Sequence, residues 1–243
     1  MENEWFATWF DTPHYHTLYK NRNETEAKRF IENLVEHLKI PTGSRLLDLA
    51  CGKGRHAITL NNKGYNVLGV DLSSNSIKQA SMHAKPGLEF GIHDMRQTIP
   101  NRSFHAVFNL FTSFGYFDNT DDNAKVLLSI HEMLVPKGIL VIDVMNSYRD
   151  AQNLITKEVK EVDGVVFNID RSYEHNFIIK DIRFEDGGEK HHYTERVQAL
   201  KLDNFKSLLQ KTGFEILRTF GNFDLTPFEE ETSDRLIIIA QIQ

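Results

Sequence analysis

The sequence predicts an α/β protein: a doubly wound, mostly parallel seven-stranded sheet with helices on both faces, plus a small antiparallel β insertion after the fifth strand. Three observations carry this. Up to Asn146, short apolar runs alternate with helical periods, which calls for parallel strands joined by crossover helices. Over residues 159 to 200 the helices stop, and strand-like alternation with turns at Asp163-Gly164 and Gly187-Gly188 replaces them. A helix and two last strands then restore the earlier style.

In chain order, "ETEAKRFIENLVEHL" sets Ala27, Phe30, Ile31, Leu34, Val35 and Leu38 at helical spacing, and Pro41 and Gly43 end that helix. The strand "RLLDLA" follows, then a glycine turn and the helix "GRHAITLNNKG", closed by Gly64. Next come the strand "NVLGVDL", the helix "SNSIKQASMHA", and the strands "LEFGIHD" and "FHAVFNLF". The helix "DNAKVLLSIHEML" is stopped by Pro136 and Gly138, and the strand "GILVIDVMN" completes the first five. After the insertion, "LDNFKSLLQKTG" reads as a helix, and "FEILRTFG" and "RLIIIAQI" as the last strands. The whole reads as a single domain over residues 1–243: an N-terminal helical lid (1–40), a ligand-binding core (41–147), the insertion (159–200) and a C-terminal helix with two strands (201–243).

A formal charge of -6 and the lack of a basic block give no reason to expect a polyanion partner, so nucleic acid is not the expected ligand. Cys51 is the only cysteine, so no internal disulfide can form, which suits a reducing compartment. The start "MENEWFATWF" lacks a signal-peptide pattern and no apolar run has membrane-spanning length. The expectation is a cytoplasmic protein without a membrane partner.

The stretch "LLDLACGKGRH" holds the chemistry. A glycine-rich turn between strand and helix lets a ligand approach the backbone and aims free N-H groups at it. From Gly52, G-K-G-R-H-A satisfies the dinucleotide pattern G-x-G-x-x-A, with Asp71 at a workable distance for ribose hydroxyls. Asp48 bears on the choice of ligand. A diphosphate would meet its carboxylate as a like charge, whereas an ammonium and a sulfonium would not be repelled. The charge pattern therefore favours S-adenosylmethionine over NAD, although a nucleotide-binding or NAD protein stays open on spacing alone. In such sheets ligands sit outside the strands' carboxyl ends, where Asp48, Asp71 and Asp94 fall.

"LLDLACGKGRH", followed by "VLGVDLS", "IHDMR" and "FNLFTSFGYF", resembles the motif series of class I S-adenosylmethionine-dependent methyltransferases, the seven-stranded Rossmann-like group. The resemblance covers roughly residues 40 to 146. It implies that Asp48, Ala50 and Gly52 line the methionine portion of the cofactor. Asp71 would bind the ribose hydroxyls with Leu72 against the adenine, Asp94 and Met95 would hold the adenine edge, and Asn109 and Leu110 would close the pocket. Ala50 departs from the pattern, standing where that family often has its first glycine. S-adenosylhomocysteine would be the product. The acceptor expected from the modest size and absent basic face is a small molecule, with a protein or nucleic acid as the alternative.

The aromatic segment "WFDTPHYHTLYKNR" fits the family's habit of folding an N-terminal segment over the cofactor. Tyr15 and Tyr19 are four apart and share a helical face. Tyr19 can offer its ring to a sulfonium, Tyr15 can face the substrate, and Arg22 can pair with the cofactor carboxylate. Trp5, Phe6, Trp9 and Phe10 are read as packing this segment onto the sheet. After the fourth strand, Phe111, Phe114 and Tyr116 form the expected substrate wall, with Phe114 and Tyr116 as contacts. If a base is used, His16 and Tyr116 are the catalytic candidates. His14, His16, His191 and His192 match no zinc spacing, so no metal is assigned. The insertion either caps the substrate or pairs with a second copy in a homodimer. Its stretch "FNIDRSYEH" reads as a polar face bearing Arg171, a substrate contact, with a mixed opposite face.

Overall fold

The computed structural model describes residues 4–20 and 24–243. Two short helices lead: α1 (Trp5–Trp9) and α2 (Pro13–Leu18). Proline at the first position of α2 and Thr12 as its cap, accepting from the Tyr15 N-H at 3.1 Å, fix where that helix begins. The third helix, α3 (Glu24–Leu38), buries Ala27, Phe30, Ile31 and Leu34, as its spacing requires.

The core then runs β1 (Arg45–Leu49), α4 (Arg55–Asn62), β2 (Asn66–Asp71), α5 (Ser74–Ala80), β3 (Leu88–Ile92), β4 (Phe104–Asn109), α6 (Thr120–Met133) and β5 (Leu134–Met145). A six-residue helix, α7 (Ser147–Gln152), leads into the insertion: β6 (Lys157–Val162), β7 (Val165–Glu174), β8 (Phe177–Asp186) and β9 (Glu189–Gln198). The chain closes with α8 (Leu202–Lys211), β10 (Phe214–Phe220) and β11 (Arg235–Ile242). The sequence gives no sign of α7, which buries only Ser147 and so has no apolar period to read.

The main sheet has seven strands in the order β10-β11-β5-β4-β1-β2-β3, parallel from β5 to β3, with β11 antiparallel to both β5 and β10. The chain moves outward from β1 to β3, then returns to β4 on the other side of β1. That reversal opens a crevice at the carboxyl ends of β1 and β4. Both faces are covered. Leu46 packs with α3 and α4 on one side, while Leu47 and Leu49 pack with α6 and α8 on the other. This explains why β1 reads as an unbroken apolar run interrupted only by Asp48.

The insertion forms a separate four-stranded antiparallel sheet, order β6-β7-β8-β9. Its apolar face, with Phe167, Ile169, Ile182 and Phe184, closes over Trp9 and Leu18 in a third core cluster. Trp9 stacks on Tyr193 with ring centroids 4.3 Å apart and donates its indole N-H to Glu195 at 2.8 Å. Of the N-terminal aromatics, Phe6 packs against the main-sheet core as expected, whereas Trp5, Trp9 and Phe10 pack with the insertion cluster. Trp9 is buried against the insertion, while Trp5, Phe6 and Phe10 gather around Tyr116, at centroid distances of 5.3, 6.2 and 5.2 Å. Arg171 is a second correction: strand parity puts it on the same side as Phe167 and Ile169, so it faces inward. Among the described residues no helix is long and apolar enough to cross a membrane.

Trp9→Ala should lower the unfolding free energy by about 3–5 kcal/mol in urea titration. It should also speed amide exchange in β7 to β9 more than in β1 and β4, since the lost contacts are with the insertion.

Candidate active site

The turn after β1 is built from left-handed residues. Ala50 sits at φ +63, Gly52 at +55 and Gly54 at +83. Ala50 therefore follows the backbone path a glycine would take, at a cost of about 1–2 kcal/mol. Gly54 is required twice over, because a Cβ there would lie 2.6 Å from the Phe90 ring. At Gly52 a Cβ would meet nothing within 4 Å, because that backbone borders open space. The space is a cavity of about 360 Å³, floored by Ala50, Gly52, Asp71, Leu72, Asp94, Met95 and Leu110, and roofed by Phe10, Tyr15, His16 and Tyr19.

Asp48 lies just behind this floor and does not line it. Its Oδ2 accepts from the Ala57 N-H at 3.0 Å in the first turn of α4, and its Oδ1 has no hydrogen-bond partner among the described residues. Burial pushes its carboxyl up to about 7, with the charge of Asp71 adding to the effect and the Ala57 bond opposing it. Asp71 reaches the cavity and also ties it together: Oδ2 accepts from the Gly52 N-H and Oδ1 from the Ser73 N-H, each at 2.8 Å. Burial raises its carboxyl too, against those backbone bonds. At Asp94 burial works against the charge, but the Arg96 guanidinium overcomes it and holds the carboxyl below its usual range. The same thiol burial that makes Cys51 a packing residue pushes its pKa up.

Two expected wall residues are placed in the interior instead. Asn109 is fully buried and donates its Nδ2 to the Leu49 carbonyl at 3.1 Å, bracing β4 against β1. Phe114 belongs to the core, 5.5 Å from Phe205 and in one cluster with Val126 and Leu127, so it does not line the cavity. An apolar ring gains more in that cluster than on a polar wall. Arg22 lies outside the described residues. His16 lines the first cavity with its ring 5.4 Å from that of Tyr15. The Tyr116 hydroxyl donates to the Thr112 carbonyl, which engages it structurally rather than leaving it poised as a base.

A second cavity, of about 580 Å³, opens on the far side of a shared aromatic wall of Phe10, Tyr15, Tyr19, Phe111 and Tyr116. The insertion caps it with Glu158, Arg171, Ile178, Lys180, Glu195 and Val197, and α7 contributes Asp150. Arg171 pairs with Glu158. The Tyr19 hydroxyl donates to Glu195 at 2.7 Å and accepts from Lys180. Phe111 and Thr112 are consecutive left-handed residues, at φ +61 and +59, and are held by buried Asp143. Its Oδ2 accepts from the Phe111 N-H and its Oδ1 from Arg235, both at 2.8 Å, while Arg235 also donates to the Thr112 hydroxyl at 3.1 Å. Sequence reading missed Thr112, Asp143, Asp150, Lys180, Glu195 and Arg235. One signal was available. Asp143 interrupts "GILVIDVMN" just as Asp48 interrupts "RLLDLA".

A seven-stranded sheet with β11 antiparallel, a glycine turn after β1 and acidic residues ending β2 and following β3 define the class I S-adenosylmethionine-dependent methyltransferase architecture. Its methyltransferase domain family matches residues 40–213, and the chain belongs to that family. A relative from Geobacillus sp., named only as a methyltransferase, is 28% identical over 99% of this chain and 100% of its own length. Glycine/sarcosine N-methyltransferase from Aphanothece halophytica is 28% identical over 90% of this chain and 83% of its own. The solved structure of an S-adenosylmethionine-dependent methyltransferase from Clostridium acetobutylicum superposes with a TM-score of 0.79 at 20% identity, covering 93% of this chain and 95% of that one.

Two outcomes follow from the buried carboxylates. A native pKa near 7 means that folding takes up a proton on Asp48, so its contribution to stability is complete below about pH 4 and lost as pH rises to 7. Asp48→Asn should therefore gain stability relative to the parent between pH 4 and 7 and hold that gain above, read from urea midpoints across pH. Arg235→Ala, which strands Asp143, should cost about 3–5 kcal/mol in the same measurement at neutral pH.

Proposed function

We propose that the chain transfers a methyl group (EC 2.1.1.-) from S-adenosylmethionine in the first cavity to a small polar acceptor in the second. The observation that carries this is the shared wall of Phe10, Tyr15, Tyr19, Phe111 and Tyr116, which sets the two chambers against each other. The residues fit the cofactor. Open space beside Gly52 admits a ligand against the backbone, and Asp48, just behind the floor with its Oδ1 unpartnered, would have its charged form favoured by a cationic ligand. When bound, the sulfonium supplies a methyl group already activated toward a nucleophile.

The chain's own part is to bind, orient and exclude water. Asp71 takes the ribose hydroxyls with Leu72 against the adenine, and Asp94 with Met95 holds the adenine edge. Ala50 and Gly52 cradle the methionine portion, with Asp48 acting from behind through its charge. Leu110 closes the pocket, Tyr19 offers a ring face, and Arg22 takes the carboxylate. Tyr15 and Tyr116 face the acceptor, and Arg171 belongs to its chamber. Holding both reactants in contact supplies much of the acceleration, and a base is needed only for an acceptor that arrives protonated, for which His16 is the candidate. The glycine/sarcosine specificity named for one relative supports a small-molecule acceptor. The inward face of the insertion is spent on α1, α2 and the second cavity, which supports a cap rather than a homodimer interface. The single buried cysteine fits the reducing cytoplasm.

Calorimetry tests the reading. S-adenosylhomocysteine should bind at micromolar concentration and NADH not at all; the reverse sinks it. Asp71→Ala should weaken S-adenosylhomocysteine roughly tenfold or more through loss of charge-assisted bonds, and unchanged affinity would show that the second-strand assignment is wrong.

A further inference from the structure

The charged groups of the second cavity are matched except for one. Arg171 is paired with Glu158, Lys180 lies 3.5 Å from Glu195, and Arg235 is bonded to Asp143. Asp150 also lines this cavity, on α7, and among the described residues its carboxylate makes no hydrogen bond or ion pair. The guanidiniums that act on it from nearby are committed elsewhere: Arg149 to Asp234 at 2.7 Å, Arg235 to Asp143 and Thr112. With Arg235 committed to Asp143, the lining carries one surplus negative charge in a cavity that is also lined by Trp5, Tyr15 and Tyr116. A carboxylate next to aromatic faces is an environment for an organic cation. An anionic acceptor would have to break an existing pair to find a partner.

We propose that Asp150 binds the acceptor as counter-ion to a cationic amine, which makes the substrate class of this cavity an amine-bearing small molecule. This rests on the second cavity being the acceptor chamber. Burial holds the Asp150 carboxyl above its usual range despite Arg149 and Arg235, so the charged form lacks compensation that an incoming cation supplies. The role is recognition: no bond is made to Asp150 and no proton is taken by it.

The test uses the full chain saturated with S-adenosylhomocysteine and a panel of probes followed by calorimetry and thermal shift. The panel contains α,ω-diamines from ethane-1,2-diamine to hexane-1,6-diamine, with the diols and dicarboxylates of the same lengths. At least one diamine should bind and raise the melting temperature. Asp150→Asn should weaken it roughly tenfold or more, Asp150→Glu should recover part of the loss, and neither should alter S-adenosylhomocysteine affinity. Preference for dicarboxylates, no diamine binding, or diamine binding unchanged in Asp150→Asn would overturn the proposal. Failure of S-adenosylhomocysteine to bind the parent chain would instead count against the function from which it starts.

Discussion

The Glu195 carboxylate joins three parts of the chain that are far apart in sequence. It accepts the Trp9 indole N-H from α1 at 2.8 Å and the Tyr19 hydroxyl at the end of α2 at 2.7 Å, and it faces Lys180 across the β8–β9 pair at 3.5 Å. Burying an acid and a lysine together is costly unless their polar atoms are hydrogen-bonded, and here the tryptophan and tyrosine add donors to the carboxylate. Burial pulls the Lys180 ammonium below its usual range while Glu195 opposes the shift. Together with the apolar cluster around Trp9 and Leu18, this junction holds the N-terminal helices, and so the aromatic wall, to the insertion. It fixes the Tyr19 hydroxyl at the boundary of the two cavities.

Below that roof one device recurs. A carboxylate at a strand end accepts a backbone N-H from the loop of a neighbouring strand, so adjacent loops are tied crosswise. Asp71 of β2 holds Gly52 in the turn after β1, and Asp143 of β5 holds Phe111 in the loop after β4. Each tie meets a left-handed residue: Gly52 adopts that conformation without strain, whereas Phe111 persists in it only because its surroundings over-determine it. The crevice of the parallel sheet is thus given a rigid edge on the β1–β2 side and another on the β4–β5 side. The first and second cavities stand on these two edges.

The division of labour between the sheets follows from their chemistry. The main sheet, apolar on both faces, buries its strands between helices and offers only its carboxyl edge to a ligand. The antiparallel sheet can spend each face differently. Its inward side is apolar near Phe167 and Phe184, where it meets α1 and α2, and charged at Arg171, Lys180 and Glu195, where it covers the cavity. One strand surface therefore serves as core at one end and as binding wall at the other.

The fold was legible in the residues because its signals are local. Apolar runs of five or six, helices with apolar spacing, and glycines at the punctuating turns are properties of neighbours along the chain, and so is the placing of Asp48, Asp71 and Asp94 at strand ends. What failed did so at longer range. Phe114 joins the α6 and α8 core because a ring finds its most favourable burial there. Asn109 turns inward to a carbonyl on β1. Arg171 is the exception, since its side follows from counting alternate residues from Phe167, a parity the sequence already carries. The second cavity was illegible because its parts meet only at long range. Asp143, Asp150, Lys180, Glu195 and Arg235 come from five different elements, and no spacing in the sequence connects them. The layered sheet and the turn that suits a cationic methyl donor can be read from the residues alone, since both depend on local pattern and charge. Only the tertiary structure decided which charges are paired and which one is left over, because pairing is settled by distance across the fold.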